Sequence, residues 1–377
     1  MRKPLTIGVD VRDLKVAKTG TRTYLLELCR EFKAMQSDML RFEFLDTSLP
    51  VYSGNNKLLK LTEHLRYQTW KQVILPLKAR SKNCDIVFCT DNFVPLVHLG
   101  YQTIPVFHDA FFFESPQDYG ALWLSLYKKT ALPAAQRSPV IITPTQHSKK
   151  QLVKFTGIDA QKFEVVFEGA RSSSNSAQQV DLDRLALPIQ PKAYILHVGS
   201  FFKRKNLPAL IAAFAELKTA GYADLKLVLA GPFPASKTEN DYREVIDAIA
   251  LYKLENDVLL TGYLADSDLE ILYKNALLYA FPSVNEGFGL PVLEAFSYDV
   301  PVIVANNTCL PEVGGEAVLS FDPYDTNDIY RAIKQVLDNE HLRNELIAKG
   351  QERLKEFSWR KTAEQLVEIF KRVANYS

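Results

Sequence analysis

The sequence predicts an α/β protein made of two successive Rossmann-like units. Three observations predict it. The chain has 377 residues, the length of about two domains. Short strand segments that are apolar throughout alternate with helical spacing, the pattern of parallel sheets covered on both faces. That alternation stops in a polar, serine-rich stretch and then starts again. Composition is that of a globular protein, 47% hydrophobic and 24% charged. Forty-five Lys and Arg against 44 Asp and Glu leave a formal charge of +1, without the basic excess of a dedicated nucleic-acid binder.

In the first half, LTIGVDV (5–11) reads as a strand and TRTYLLELCREFKAM (21–35) as a helix, with Tyr24, Leu25, Leu28 and Phe32 on one face. RFEFLDT (41–47) is a second strand, and 57–80 a mixed basic and apolar helical region. DIVFCTD (85–91), TIPVFHD (103–109) and VIITPT (140–145) are further strands. HSKKQLVKF (147–155) is a helix and EVVFEG (164–169) the last strand of the half. RSSSNSAQQVDLDRLALPIQPK (171–192) suits a linker. The second half repeats the rhythm. Strands are expected at 193–200, 225–231, 257–264, 277–283, 301–306 and 317–322. Helices are expected at 207–221, 242–254, 268–276, 290–299, 326–356 and 360–376.

Cys29, Cys84, Cys89 and Cys309 are scattered in apolar contexts and read as buried thiols, not a disulfide framework or a zinc site. MRKPLTIGVDV reads as a first strand and not a signal peptide, and no stretch approaches the ~18 apolar residues of a membrane span. A cytoplasmic protein is expected.

The densest chemical signal is FPSVNEGFGLPVLEAFSYDVPVIVAN (281–306). Gly287 and Gly289 permit a tight turn, and Pro291 suits the start of a helix. A glycine turn before a helix offers free N–H groups and the positive dipole end to an anion. Glu294 is expected in the first turn of that helix. An ionised carboxylate there only accepts hydrogen bonds, which suits a sugar diol, and Glu286 in the loop suits the same task. In HVGSFFKRKNL (197–207), Lys203, Arg204 and Lys205 fall between a strand and a helix, where cations beside free amides favour phosphate over an exposed basic loop. His108 and Asp109 end an apolar strand, where open sheets place ligands, although a core histidine reads equally well. Gly20 precedes a helix and lets backbone approach a diphosphate, yet neither G-x-G-x-x-G nor the P-loop is present. His64, His98, His147, His197 and His341 form no recognisable metal pattern, and DVRD, DLD and DPYD are only near-neighbour aspartates. No metal and no cofactor are expected.

These strings resemble the retaining glycosyltransferases of family four, whose E-x7-E motif is matched by Glu286 and Glu294. VGSFFKRKNL, LLTGYL, FSWRKTAEQLVEIF, the HD at 108–109 and NNTCLPEVGGEAV look like the same family. The resemblance implies a GT-B fold: residues 1–180 as an acceptor-side domain, 181–356 as a nucleotide-sugar-binding domain, and 357–377 as a helix packing back on the first. It implies a nucleotide diphospho-sugar donor and a saccharide, lipid-linked or protein acceptor, with a mannosyltransferase as the nearest type. Glu294 would bind ribose, Glu286 the transferred sugar, and the amides around Phe288, Gly289 and Leu290, with Gly287, the sugar and phosphates. Arg204 and Lys205 would neutralise the diphosphate, His108 would sit by sugar and acceptor, Gly20 near the distal phosphate, and Tyr263 and Leu264 by the base. Two departures stand out: KTGTRTY where relatives have a more Gly-rich turn, and FEGAR (167–171) where an Asn-Gly pair is common.

Competing expectations are a different GT-B enzyme, a phosphorylase or sugar-nucleotide epimerase, and a non-catalytic sugar-binding protein. The region KLLKLTEHLRYQTWKQVILPLKAR (57–80) carries six basic residues and one acidic residue. It suggests weak peripheral contact with an anionic membrane, although an ordinary packed surface helix is the stronger reading.

Overall fold

The structure, a computed structural model, describes residues 3–17, 20–52, 54, 56–170, 182–233 and 240–375. Its contacts separate two units, Met1–Gly169 with Phe357–Ser377, and Ala170–Glu356. The first unit thus ends at Gly169, ahead of the expected 180, and most of the expected linker, 171–181, lies outside the described residues.

In the first unit, β1 (Leu5–Asp10), β2 (Leu40–Leu45), β3 (Ile86–Cys89) and β4 (Gln102–Pro105) form a parallel sheet in the order β2-β1-β3-β4. A parallel bridge between Val106 and Ile142 carries it on to the pair β5 (Ile141–Thr143) and β6 (Phe163–Val165). Every residue of β1 is buried, as a strand with both faces covered must be. The covering helices are α1 (Gly20–Ala34), α2 (Lys57–Thr69), α3 (Leu75–Ser81), α4 (Phe111–Glu114), α5 (Ala121–Arg137) and α6 (Gln146–Thr156). Local chemistry sets their ends. The Thr145 side chain caps α6 by accepting from the Ser148 N–H at 3.0 Å, and Gly157 closes it with φ +68°.

The C-terminal helix (Trp359–Val373), capped by Ser358, completes this unit. Phe370 packs on Phe32 of α1 and Phe88 of β3, and the Thr362 hydroxyl donates to the Phe167 carbonyl at 2.8 Å.

The region 57–80 is helical as expected, but within it α2 and α3 are joined by a π-helical turn, Trp70–Ile74, whose wider winding puts consecutive Trp70 and Lys71 both inside. Helix α5 was missed altogether. Its buried Leu124, Tyr127, Ala131 and Ala134 have helical spacing, but Pro133 within it breaks the usual pattern.

In the second unit, β7 (Tyr194–Val198), β8 (Lys226–Ala230), β9 (Val258–Gly262), β10 (Leu278–Phe281), β11 (Val302–Ala305) and β12 (Val318–Phe321) form a parallel sheet ordered β12-β11-β10-β7-β8-β9. The order reverses between β7 and β10, as in the dinucleotide-binding fold. Helices α7 (Leu207–Thr219), α8 (Asn240–Leu251), α9 (Asp266–Asn275), α10 (Leu290–Ser297), α11 (Leu310–Gly314), α12 (Thr326–Asp338) and α13 (Glu340–Leu354) accompany it. The expected run 326–356 is two helices. Asn339 leaves the helical conformation, and its side chain accepts from the Leu342 N–H to start α13.

Candidate functional sites

The loops that leave β7 and β10 are tied together at the reversal of the second sheet. The Val284 N–H donates to the Arg204 carbonyl at 2.8 Å, and the Lys205 ammonium meets the Glu286 carboxylate at 2.5 Å. Lys205 is buried, and its ammonium also lies 4.8 Å above the Phe281 ring. Burial pulls Lys205 below the usual lysine range, against the opposing pull of Glu286. For Glu286, burial pushes the carboxyl up, but Lys205 and Arg204 outweigh it and hold it below the ordinary range. Glu286 is thus a buried, paired anion.

Around this pair the backbone is tightly specified. Gly289 caps α10 with φ +101°, and a Cβ there would come 2.6 Å from Leu310 Cδ2. Cys309, expected only as an apolar filler, has its thiol 3.2 Å from the carbonyls of Glu286 and Phe288 and so braces the glycine turn. A Cβ on Gly231 would fall 1.8 Å from the Gly199 carbonyl oxygen, so these two loop starts run in direct backbone contact. His197, the neighbour of that turn, is buried. Its Nδ1–H donates to the Ala280 carbonyl at 3.0 Å, and burial, helped by Lys205, pushes the ring down to about 4, so it is neutral.

Glu294 is the fifth residue of α10, beyond the first turn expected for it, and the helix carries no acidic residue there. The helix begins at Leu290 and not earlier, which weakens any dipole effect on Glu294. Its carboxylate accepts from the Tyr273 hydroxyl of α9 at 3.0 Å, a partner with no mark in the motif. Tyr263 and Leu264 follow β9; the tyrosine is exposed and Leu264 half-buried. Arg204 lies with its guanidinium 4.9 Å over the Phe202 ring. The structure therefore brings Arg204, Lys205, Glu286 and the 287–290 turn together, with Glu294 one helical turn further on.

The other two predicted residues belong to the first unit. Gly20 is the exposed first residue of α1, and Lys18 and Thr19 before it lie outside the described residues. His108 is gripped at both nitrogens: Nε2 is 3.0 Å from the Thr90 carbonyl and Nδ1 is 3.3 Å from Glu168 Oε1. Burial works against its charge, but Glu168 and Asp109 prevail and raise it above the ordinary histidine value.

A second group escaped the sequence reading. At the ends of β1 and β3, the Lys71 ammonium lies 2.6 Å from Asp10 and 2.5 Å from Asp91. Trp70 Nε1–H donates to Asp10 at 3.0 Å, and the Tyr67 hydroxyl bonds Asp91. Asp10, Cys89 and Asp91 are close enough to share a cation, but the Lys71 ammonium is bonded to both carboxylates. Burial opposes the Lys71 charge, and the two aspartates overcome it. The aspartate of DVRD was visible in the sequence; the lysine sixty residues on, turned inward by a π-turn, was not.

With the geometry in view, comparison with known proteins gives the class. Residues 181–353 match the family model of glycosyl transferases group 1. The chain is 28% identical over 298 residues to O-antigen chain mannosyltransferase B of Escherichia coli, covering 76% of this chain and 74% of that one. Residues 181–353 are thus of the group 1 glycosyltransferase type, and the chain is a glycosyltransferase. Its fold is GT-B: the glycosyltransferase superposes on sucrose-phosphate synthase of Thermosynechococcus elongatus with a TM-score of 0.74 at 17% identity, over 99% of this chain and 100% of that one. It superposes on Anabaena HepE in complex with UDP-glucose with a TM-score of 0.71 at 17% identity, over 98% and 100%. The glycosyltransferase has, among its described residues, no helix long and apolar enough to cross a membrane.

Proposed function

We propose that this glycosyltransferase moves a hexose, mannose being the first candidate, from a nucleoside-diphosphate sugar to a saccharide hydroxyl, with retention of configuration and without a metal or other cofactor. The single observation that carries this reading is the buried Lys205–Glu286 pair in the loops tied together at the β7–β10 reversal. Open α/β sheets bind ligands at that point. A cation next to a helix-start glycine turn suits a diphosphate, and a buried carboxylate suits sugar hydroxyls.

In this reading the second unit holds the donor and the first the acceptor. Arg204 and Lys205 neutralise the diphosphate, and the amides of Phe288, Gly289 and Leu290 line it together with Gly287. Glu286 takes the sugar hydroxyls, Glu294 the ribose, and Tyr263 and Leu264 the base. His108 and Gly20 serve from the first unit. The acceptor oxygen bonds to the anomeric carbon as the bond to the diphosphate breaks, and the acceptor's proton passes to a leaving phosphate oxygen. Fixed cations and amides stabilise the charge that develops there. The name of the relative in Escherichia coli suggests a role in polysaccharide or glycoconjugate synthesis.

Calorimetric titration with GDP, UDP, ADP and dTDP tests the site, and turnover of the matching nucleotide sugars tests the reaction. Binding that survives EDTA and weakens in Lys205→Ala supports the reading. No nucleotide binding, or binding indifferent to Lys205 and Glu294, defeats it.

A specific observation also favours contact with a membrane surface at the cytoplasmic face. Leu61, Leu65, Val73 and Leu77 are each more than half exposed along α2, the π-turn and α3, beside Arg66, Lys78 and Arg80. Exposed apolar side chains flanked by cations match an anionic bilayer surface. Flotation with phosphatidylglycerol vesicles, and its loss in Leu65→Ser/Leu77→Ser, is the expected result; no flotation removes the idea.

A further inference from the structure

His108 is held by three strand ends and a helix of the first unit. Thr90 follows β3, His108 itself follows β4, Glu168 follows β6, and Tyr24 of α1 packs edge-on to the imidazole at 4.9 Å. The Thr90 carbonyl can only accept, so Nε2 carries a proton; a carboxylate facing Nδ1 likewise calls for a proton there.

Glu168 is itself buried and fixed by its neighbours. The C-terminal helix clamps its segment on both sides, through the Thr362 bond to the Phe167 carbonyl and through Gly169, where a Cβ would lie 2.2 Å from the Trp359 nitrogen. Trp359 in turn packs edge-on to Tyr24 at 5.6 Å. The FEG string, in the sequence only a departure from a common Asn-Gly pair, thereby acquires a task.

We infer that Glu168 is a positioning residue for sugar transfer, whose carboxylate holds His108 in one orientation as a doubly hydrogen-bonded imidazolium. The inference rests on the transferase reading given above. A histidine so held has no lone pair for the acceptor's proton, which leaves the phosphate oxygen as the base and makes His108 a fixed cation. The titratable groups acting on the ring are Glu168 and Asp109, with the Tyr24 ring packed edge-on beside it. Of these, Glu168 is the one in hydrogen-bond contact.

The test is the pH profile of kcat in Glu168→Gln and Glu168→Asp, with ring-nitrogen NMR of His108 in the unaltered enzyme. In Glu168→Gln the alkaline limb is expected to move down by about one pH unit, with kcat at pH 8 reduced about tenfold and nucleotide affinity unchanged. Glu168→Asp is expected to restore most of the profile. An alkaline limb that stays in place, or a His108 ring that titrates at or below the ordinary histidine value, overturns the inference; the NMR arm decides even if the variants fail to fold. Failure of the unaltered enzyme to bind any nucleoside diphosphate would instead count against the transferase reading.

Discussion

In the first unit the sheet order turns around β1 and β3, and the carboxylates at or just past those strand ends, Asp10, Asp13 and Asp91, are met by cations, with Lys71 sunk between Asp10 and Asp91 and Arg12 paired with Asp13 and Glu63. In the second unit the reversal falls at β10 and β7, and the residues past β7 are Lys203, Arg204 and Lys205, facing Glu286. Both sheets are parallel and reverse their order once, but their strand orders differ, and the charges at the reversal are closed ion pairs in the first and a basic turn facing one glutamate in the second. The fold thus supplies only the place where loops converge; the side chains on those loops decide whether it suits phosphate or hydroxyl groups. Burial differs as well. Lys71 is bonded to two carboxylates and a carbonyl, a closed structural unit, whereas Lys205 has one carboxylate partner and a place beside a helix-start turn.

The contrast can be broken most severely at Lys71. Lys71→Met leaves two carboxylates buried without their cation, and a loss of about 3–5 kcal/mol is expected in urea unfolding. Adding Asp10→Asn should return part of that loss; an unchanged stability in Lys71→Met would show that the network is solvated. Next comes His197, whose folded value near 4 lies below the 6.5 of a free ring. The unfolded chain takes up the proton first, so stability is complete above pH 6.5 and falls by about 3 kcal/mol as the pH drops to 4. His197→Asn should flatten that slope, as read from urea midpoints across the window. Glu286, with its value lowered, acts only below the ordinary glutamate range, so the two effects separate on the pH axis.

A smaller effect is expected at Gly289. Gly289→Ala combines an unfavourable φ with a contact on Leu310 and should cost about 1–3 kcal/mol, while loosening nucleotide binding through the displaced turn. Smallest is Tyr273→Phe, which removes a hydroxyl bonded to Glu294 and should lower thermal stability by about 1 kcal/mol. A shift in nucleoside affinity without one for inorganic diphosphate would tie that bond to the ribose end.

Strand and helix alternation was legible because each apolar run must be buried on both faces; the spans of β1, β7 and α7 follow directly from LTIGVD, YILHV and LPALIAAFAELKT. The E-x7-E string was legible for a related reason: glycines and a helix-start proline announce a turn whatever surrounds them. What was not legible involves partners distant in sequence. Glu168 lies 60 residues from His108, Lys71 is 61 from Asp10, and Tyr273 is 21 from Glu294.

By itself, then, the sequence determined two runs of parallel α/β structure, the basic turn and the glycine turn, since these rest on local backbone preference and on burial periodicity. Tertiary structure decided which charges meet, which are neutral and which are locked, because a carboxylate or imidazole takes its state from the groups that packing brings within a few ångströms.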